Sequence, residues 1–153
     1  MNDKKRLKLR AADAEDLTVI AACMQDALMD LNEMSYVKEE RRFAAVFVRF
    51  KHEAAQAGRV HPPYLEQVTA GLHFDRVNAV KFRGLDRSGR SKPLELLTIA
   101  SERAPQGGVW ITLLFAGGGV IGLQADAIAC RLQDLGEPWP TTLRPDHRET
   151  DEG

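Results

Sequence analysis

The sequence predicts a single α+β domain built on an antiparallel sheet of six or seven strands, with one helix near each end of the chain. Three observations carry that prediction. The chain has 153 residues, 44% of them hydrophobic, which suits one domain with a sizeable buried core. Runs rich in β-branched and aromatic residues succeed one another across turn-rich breakers, without the strand–helix–strand alternation of a doubly wound parallel sheet. Helical spacing of apolar residues is confined to two segments, near residues 13–24 and 125–135.

In chain order, Asp13 is an N-cap candidate with Glu15 and Asp16 in the first turn, ahead of Leu17, Ile20, Met24 and Leu28 at i, i+3, i+7 and i+11. That pattern predicts an amphipathic helix to about Met24, then a short strand or two within residues 27–37. From Arg42 to Phe50 the run Phe43-Ala44-Ala45-Val46-Phe47-Val48 is apolar on both faces and too short for a typical helix, so it reads as a central strand. Gly58, Pro62 and Pro63 mark residues 51–64 as a loop, with a helical turn around 53–57. Residues 68–74 alternate, with Leu72 and Phe74 on one face and His73 on the other. Val77, Val80 and Phe82 continue in a changed phase, which requires a turn or bulge near Asp75–Asn78.

Residues 84–93 (GLDRSGRSKP) read as a hairpin tip before a strand over 94–99, and residues 104–108 are another breaker. Val109–Phe115 and Val120–Leu123 form a hairpin around Gly117-Gly118-Gly119. Ile128, Leu132 and Leu135 at i, i+4 and i+7, with Gly136 as a stop before Pro138, predict a closing helix. Residues 1–140 then make the globular unit, and 141–153 a polar, partly disordered tail. Such a sheet bends strongly or closes into a small barrel plugged by the last helix. The order of elements is similar to the pleckstrin-homology-like barrel, a likeness that transfers no ligand.

Twenty-one Lys and Arg stand against 22 Asp and Glu, a formal charge of -1, which removes the bulk electrostatic case for binding nucleic acid or an anionic membrane. No apolar run reaches the roughly 20 residues of a membrane span. MNDKKRLKLR leads into acidic sequence instead of a signal-peptide core, so a cytoplasmic protein is expected. Cys23 and Cys130, each within an apolar segment, read as reduced core thiols.

The four histidines, His52, His61, His73 and His147, lack metal-ligand spacing, and no nucleophile elbow or dinucleotide fingerprint is present. No catalytic residue, metal or cofactor is therefore expected, although His61 and His73 are the general-base candidates if there is an enzyme. The triple glycine reads as a turn, since a phosphate loop needs a following Lys-Ser/Thr and a helix. Lys38-Glu39-Glu40-Arg41-Arg42 reads as a solvated turn, and Trp110 and Trp139 as aromatics capping the core.

One charge feature stands out. Arg76, Lys81, Arg83, Arg87, Arg90 and Lys92 are opposed only by Asp86, and the outer part of this cluster falls on the expected hairpin tip. It reads either as a solvated edge that blocks strand pairing or as a grip for a phosphate or acidic partner. An acidic stretch, Asp13, Glu15, Asp16, Asp26, Asp30 and Glu33, has no Lys or Arg between residues 11 and 37 and could complement it within one molecule or across a dimer.

The first functional expectation is thus a non-enzymatic binding or adaptor domain working through protein contacts or self-association. The second is a small-molecule or phosphate-binding protein, even a weak enzyme, using His73, Arg76 and Arg83 around an open sheet face. The third is nucleic-acid binding through the 76–92 hairpin; no membrane partner is expected.

Four separated blocks, LKLRAADAEDL at Leu7–Leu17, KEERRF at Lys38–Phe43, LHFDRV at Leu72–Val77 and FAGGGVI at Phe115–Ile121, together resemble a bacterial family, domain of unknown function 2948. The resemblance runs from about Leu7 to Trp139. It implies a small cytoplasmic single-domain protein, with no activity, cofactor or catalytic residue to carry onto these positions.

Overall fold

The computed structural model describes residues 6–52, 64–85 and 92–142. These residues form eleven strands and one α-helix: β1 (Lys8–Ala11), α1 (Ala14–Cys23), β2 (Leu28–Met29), β3 (Met34–Val37), β4 (Arg42–Phe50), β5 (Tyr64–Phe74), β6 (Val77–Arg83), β7 (Leu94–Arg103), β8 (Val109–Phe115), β9 (Val120–Ala125), β10 (Cys130–Asp134) and β11 (Trp139–Thr142). The strands follow the path β1-β10-β5-β4-β2-β7-β8-β9-β6. β11 extends beside β5 beyond the end of β10, and β3 lies beside the first half of β4. Every pairing is antiparallel.

Two half-sheets, β1-β10-β5-β4 and β7-β8-β9-β6, are joined by the two residues of β2, where Leu28 faces Val48 on one side and Glu95 on the other. Phe43, Phe47, Leu72 and Phe74 of the first half and Leu96, Ile111, Leu113 and Ile121 of the second share one apolar cluster. The sheet is therefore strongly bent around a common core, and its path ends at two edges, β1 and β6, instead of closing.

The N-terminal helix forms as its sequence requires. The Asp13 carboxylate accepts a 2.8 Å hydrogen bond from the Asp16 N–H, and Leu17, Ile20, Ala21 and Met24 are buried on one stripe against β1 and β7. β4, the β8–β9 hairpin and the turn over Lys38–Arg41 also lie where the residues put them. Gly117 and Gly118 take positive φ of 88° and 98°, the conformation that a tight hairpin demands and that glycine adopts without a Cβ clash.

Four expectations are corrected. The helix expected over residues 125–135 does not form. Cys130, Leu132 and Asp134 are buried while Arg131 and Gln133 face outward, so the segment alternates as β10 between β1 and β5. Without a closing helix or a closed barrel, the pleckstrin-homology-like outline does not hold. Among the described residues the strands number eleven, more than six or seven, because short segments such as β1, β2 and β11 join the sheet. The hairpin expected across residues 84–93 is not borne out, since β6 pairs with β9 and β7 with β8 and β2, while residues 86–91 lie outside the described residues. Residues 53–57, expected as a helical turn, and the tail after Thr142 lie outside the described residues. The turn foreseen near residues 75–78 is the crossing from β5 to β6 at Asp75–Arg76, followed by a register shift between Val77 and Ala79.

Cys130 is buried, and its thiol is pushed above its ordinary range first by desolvation and then by the negative charge of Asp75. Cys23 is half-buried against the core. Trp139 is 40% exposed and Trp110 half-buried beneath the Lys81 ammonium, 5.9 Å from the ring centre, so both indoles sit at the margin.

The one buried ion pair among the described residues spans the middle of the first half-sheet. Arg49 on β4 donates from Nε to Asp134 Oδ1 at 2.8 Å and from Nη2 to Oδ2 at 2.9 Å. Both side chains are sealed from solvent. In register, Asp134 lies opposite Ala70 on β5 and Arg49 opposite Val68, so the pair reaches over β5 past the small Ala70 side chain. Removing one partner leaves the other's charge buried without this bidentate ion pair. Arg49→Met and Asp134→Leu are each expected to cost about 3–5 kcal/mol in urea unfolding, with the double variant recovering most of it. Single-variant losses below about 1 kcal/mol would show that the pair does not secure the sheet.

Candidate anion-binding cleft

The outer face of the first half-sheet carries an unusual row of charge. Arg10 on β1 lies directly opposite Arg131 on β10, and Arg131 lies directly opposite His73 on β5. Residues in register share a sheet face, and like charges placed opposite one another destabilise the pair. Arg10 and Arg131 are exposed and His73 half-buried.

At the end of this row the chain turns from β5 to β6. Asp75 N–H donates to the Ala129 carbonyl at 2.8 Å and Asp126 N–H to the Arg76 carbonyl at 3.0 Å, while Arg76 itself adopts φ +64°. Left-handed backbone is uncommon for arginine and is retained only where surrounding bonds over-determine it. A cleft of about 560 Å³ opens here. Arg10, Arg76 and Arg131 line it together with Asp16, Asp75 and residues 128–130.

Two of the nearby carboxylates, Asp75 and Asp126, are engaged by other side chains, while Asp16 lines the cleft as well. Asp75 Oδ1 accepts from Arg42 Nε at 2.7 Å, and this hydrogen bond raises the Arg42 pKa above its ordinary value. Asp126 accepts from Asn78 Nδ2 at 2.9 Å and from the Arg41 guanidinium, which hold its carboxyl below the usual range. Arg41 Nε also donates to Asn78 Oδ1 at 3.0 Å. Among the described residues, no ion pair engages Arg10, Arg76 or Arg131. Three guanidiniums thus border one concavity without a matched set of counter-charges.

His73 reflects this surplus. Its Nε2 lies 3.6 Å from Asp75 Oδ2, which favours the imidazolium, yet burial chiefly and then the Arg42 and Arg131 charges lower its pKa. His73 also borders a second depression of about 370 Å³ on the same outer face. The floor of that groove is made of small residues, Gly71, Ala44 and Val46, and its sides carry Asn32, Ser35, Gln133 and Leu135.

The basic cluster read from the sequence is divided. Arg76 lines the cleft, with His73 at its border through Asp75. Lys81 and Arg83 are exposed on β6, which leads away from the turn toward the triple-glycine hairpin, where Arg83 pairs with Val120. Lys92 is exposed before β7, and Arg87 and Arg90 lie outside the described residues. Two members were missed. Arg131 fell within the expected helix and Arg10 within a basic leader, although the alternation Cys130-Arg131-Leu132-Gln133-Asp134 was there to be read as a strand.

The family model described as a protein of unknown function, DUF2948, matches residues 7–147. The chain belongs to that family. No curated protein and no solved structure gives a significant match to it. Among the described residues, no helix of this family member is long and apolar enough to cross a membrane.

A lowered His73 pKa has a consequence for stability. The unfolded chain, with its ordinary histidine pKa near 6.5, takes the proton first as pH falls, so the contribution is fully present above about pH 6.5 and is lost on acidification toward the native value. Proton NMR titration is expected to place His73 below the ordinary range. Asp75→Asn should lower it further and Arg131→Gln raise it; unchanged values in both variants would contradict the assigned causes.

Proposed function

We propose that this DUF2948 chain is a cytoplasmic, non-enzymatic binding domain whose ligand presents a phosphate or similar anion to Arg10, Arg76 and Arg131. The observation that carries this reading is the like-charged cross-strand pair Arg10–Arg131 at the mouth of a cleft, without an ion-pair partner among the described residues. Guanidinium groups bind phosphate through paired charge-assisted hydrogen bonds, and an anion there would relieve the repulsion between them. Concavity adds to this reading, because scattered surface charges alone rarely hold a small ligand. Two cysteines without a disulfide between them accord with a reducing compartment.

The geometry favours a small ligand over the other two readings. Nucleic-acid binding rested on a 76–92 hairpin, and β6 and β7 are not paired. A protein-contact reading has no comparably defined surface among the described residues. The test is thermal unfolding and calorimetric titration with pyrophosphate at fixed ionic strength. Arg10→Gln/Arg131→Gln is expected to abolish a shift of several degrees, whereas Lys81→Gln/Arg83→Gln on β6 should leave it intact. No shift in the unsubstituted protein, or equal loss in both variants, would overturn the assignment.

A further inference from the structure

The cleft and the groove on the outer face meet at one residue. His73 lines the groove, lies opposite Arg131 in register and sits 3.6 Å from Asp75, which lines the cleft. From Arg131 across His73 to Ala44 is two strand spacings, or about 10 Å, so a ligand with its charged group at the arginines extends naturally onto the groove floor.

That floor is shaped for a body instead of a surface. Gly71 has no side chain, and an added Cβ there would touch Leu135 Cδ1 at 3.4 Å, which places the Leu135 side chain as a wall over the glycine. Ala44 and Val46 complete a shallow base, while Asn32, Ser35 and Gln133 line the sides. Amide and hydroxyl groups both donate and accept, the combination that recognises hydroxyl groups. Glu33, also at the groove, adds an acceptor for a pair of hydroxyls. A volume of about 370 Å³ lies in the range of small-molecule sites.

We propose, resting on the anion-binding reading above, that cleft and groove form one site for a phosphate monoester of a polyhydroxylated body, a sugar phosphate. The phosphate lies against Arg10 and Arg131 and the hydroxyls against Asn32, Ser35 and Gln133. The body is neutral, because an additional anion would meet Glu33, and polar, because a hydrocarbon would strand the amides without partners.

The experiment compares inorganic phosphate, glucose 6-phosphate and glucose by calorimetric titration of the full chain at constant ionic strength. Two neutral hydrogen bonds beyond the phosphate correspond to about a tenfold gain, so glucose 6-phosphate should bind about tenfold more tightly than phosphate. Gly71→Val, which fills the groove, should remove that gain and leave phosphate binding unchanged. Ser35→Leu, at an exposed edge position, is a second groove-filling variant with the same expected result should the first fail to fold. Equal affinity for phosphate and glucose 6-phosphate overturns the sugar-phosphate inference alone. Absence of binding by both overturns the anion site with it. A gain that survives both groove variants also overturns the inference, since the body then lies elsewhere.

Discussion

A guanidinium and a carboxylate sealed together under β5 fix which face of the first half-sheet looks outward. Arg49 and Asp134 project to the core side of β4 and β10, so Arg131 and His73, one position out of phase with buried neighbours, project to the solvent side. A one-residue slip would carry every side chain to the opposite face. It would expose the ion pair, bury Arg131 against Phe43 and Phe74, and dismantle the row of charge. The pair need not add much net stability over an apolar replacement. Its larger effect here is on register, and the cleft depends on that register.

The division of charge follows from the same arrangement. Asp75 and Asp126 stand at the seam where the chain passes from one half-sheet to the other, and each engages an arginine from the β3–β4 turn, Arg42 and Arg41 respectively. The backbone is drawn together at the same place, with Val77 N–H donating to the Arg41 carbonyl at 2.9 Å. Arg41 and Arg76 both adopt positive φ beside this seam. Conformations of that kind persist where the surrounding structure holds them. Two carboxylates that could have neutralised Arg10, Arg76 and Arg131 are thereby committed to closing the seam, and with Asp16 as the remaining acidic side chain lining the cleft, three guanidiniums leave a cationic surplus facing it.

Much of the local structure was legible because its cause is local. Asp13 caps α1 through its own side chain, the apolar run from Phe43 to Val48 forms a strand with one face buried and the other half-buried, and the triple glycine turns a two-stranded hairpin. The C-terminal helix failed for a definite reason. Ile128, Leu132 and Leu135 satisfy a helical repeat, whereas Cys130, Leu132 and Asp134 satisfy a period of two, and pairing with β1 and β5, distant in sequence, decides between them. The turn-rich stretch at residues 84–93 was recognised as a break, but no residue in it reports which strand lies beside which. The candidate site was half legible on the same grounds. His73 and Arg76 stood in a visible basic cluster, while Arg10 and Arg131 join them only through the register of β1, β10 and β5.

The most direct test of the account is an amide chemical-shift titration of the isotopically labelled protein with pyrophosphate. If the register-fixed outer face forms the site, the shifts should concentrate at Arg10, Asp75, Arg76, Arg131 and His73, with β6 and the triple-glycine hairpin unaffected. Shifts centred instead on Lys81, Arg83 and Lys92, or shifts spread evenly over exposed lysines and arginines, would contradict it.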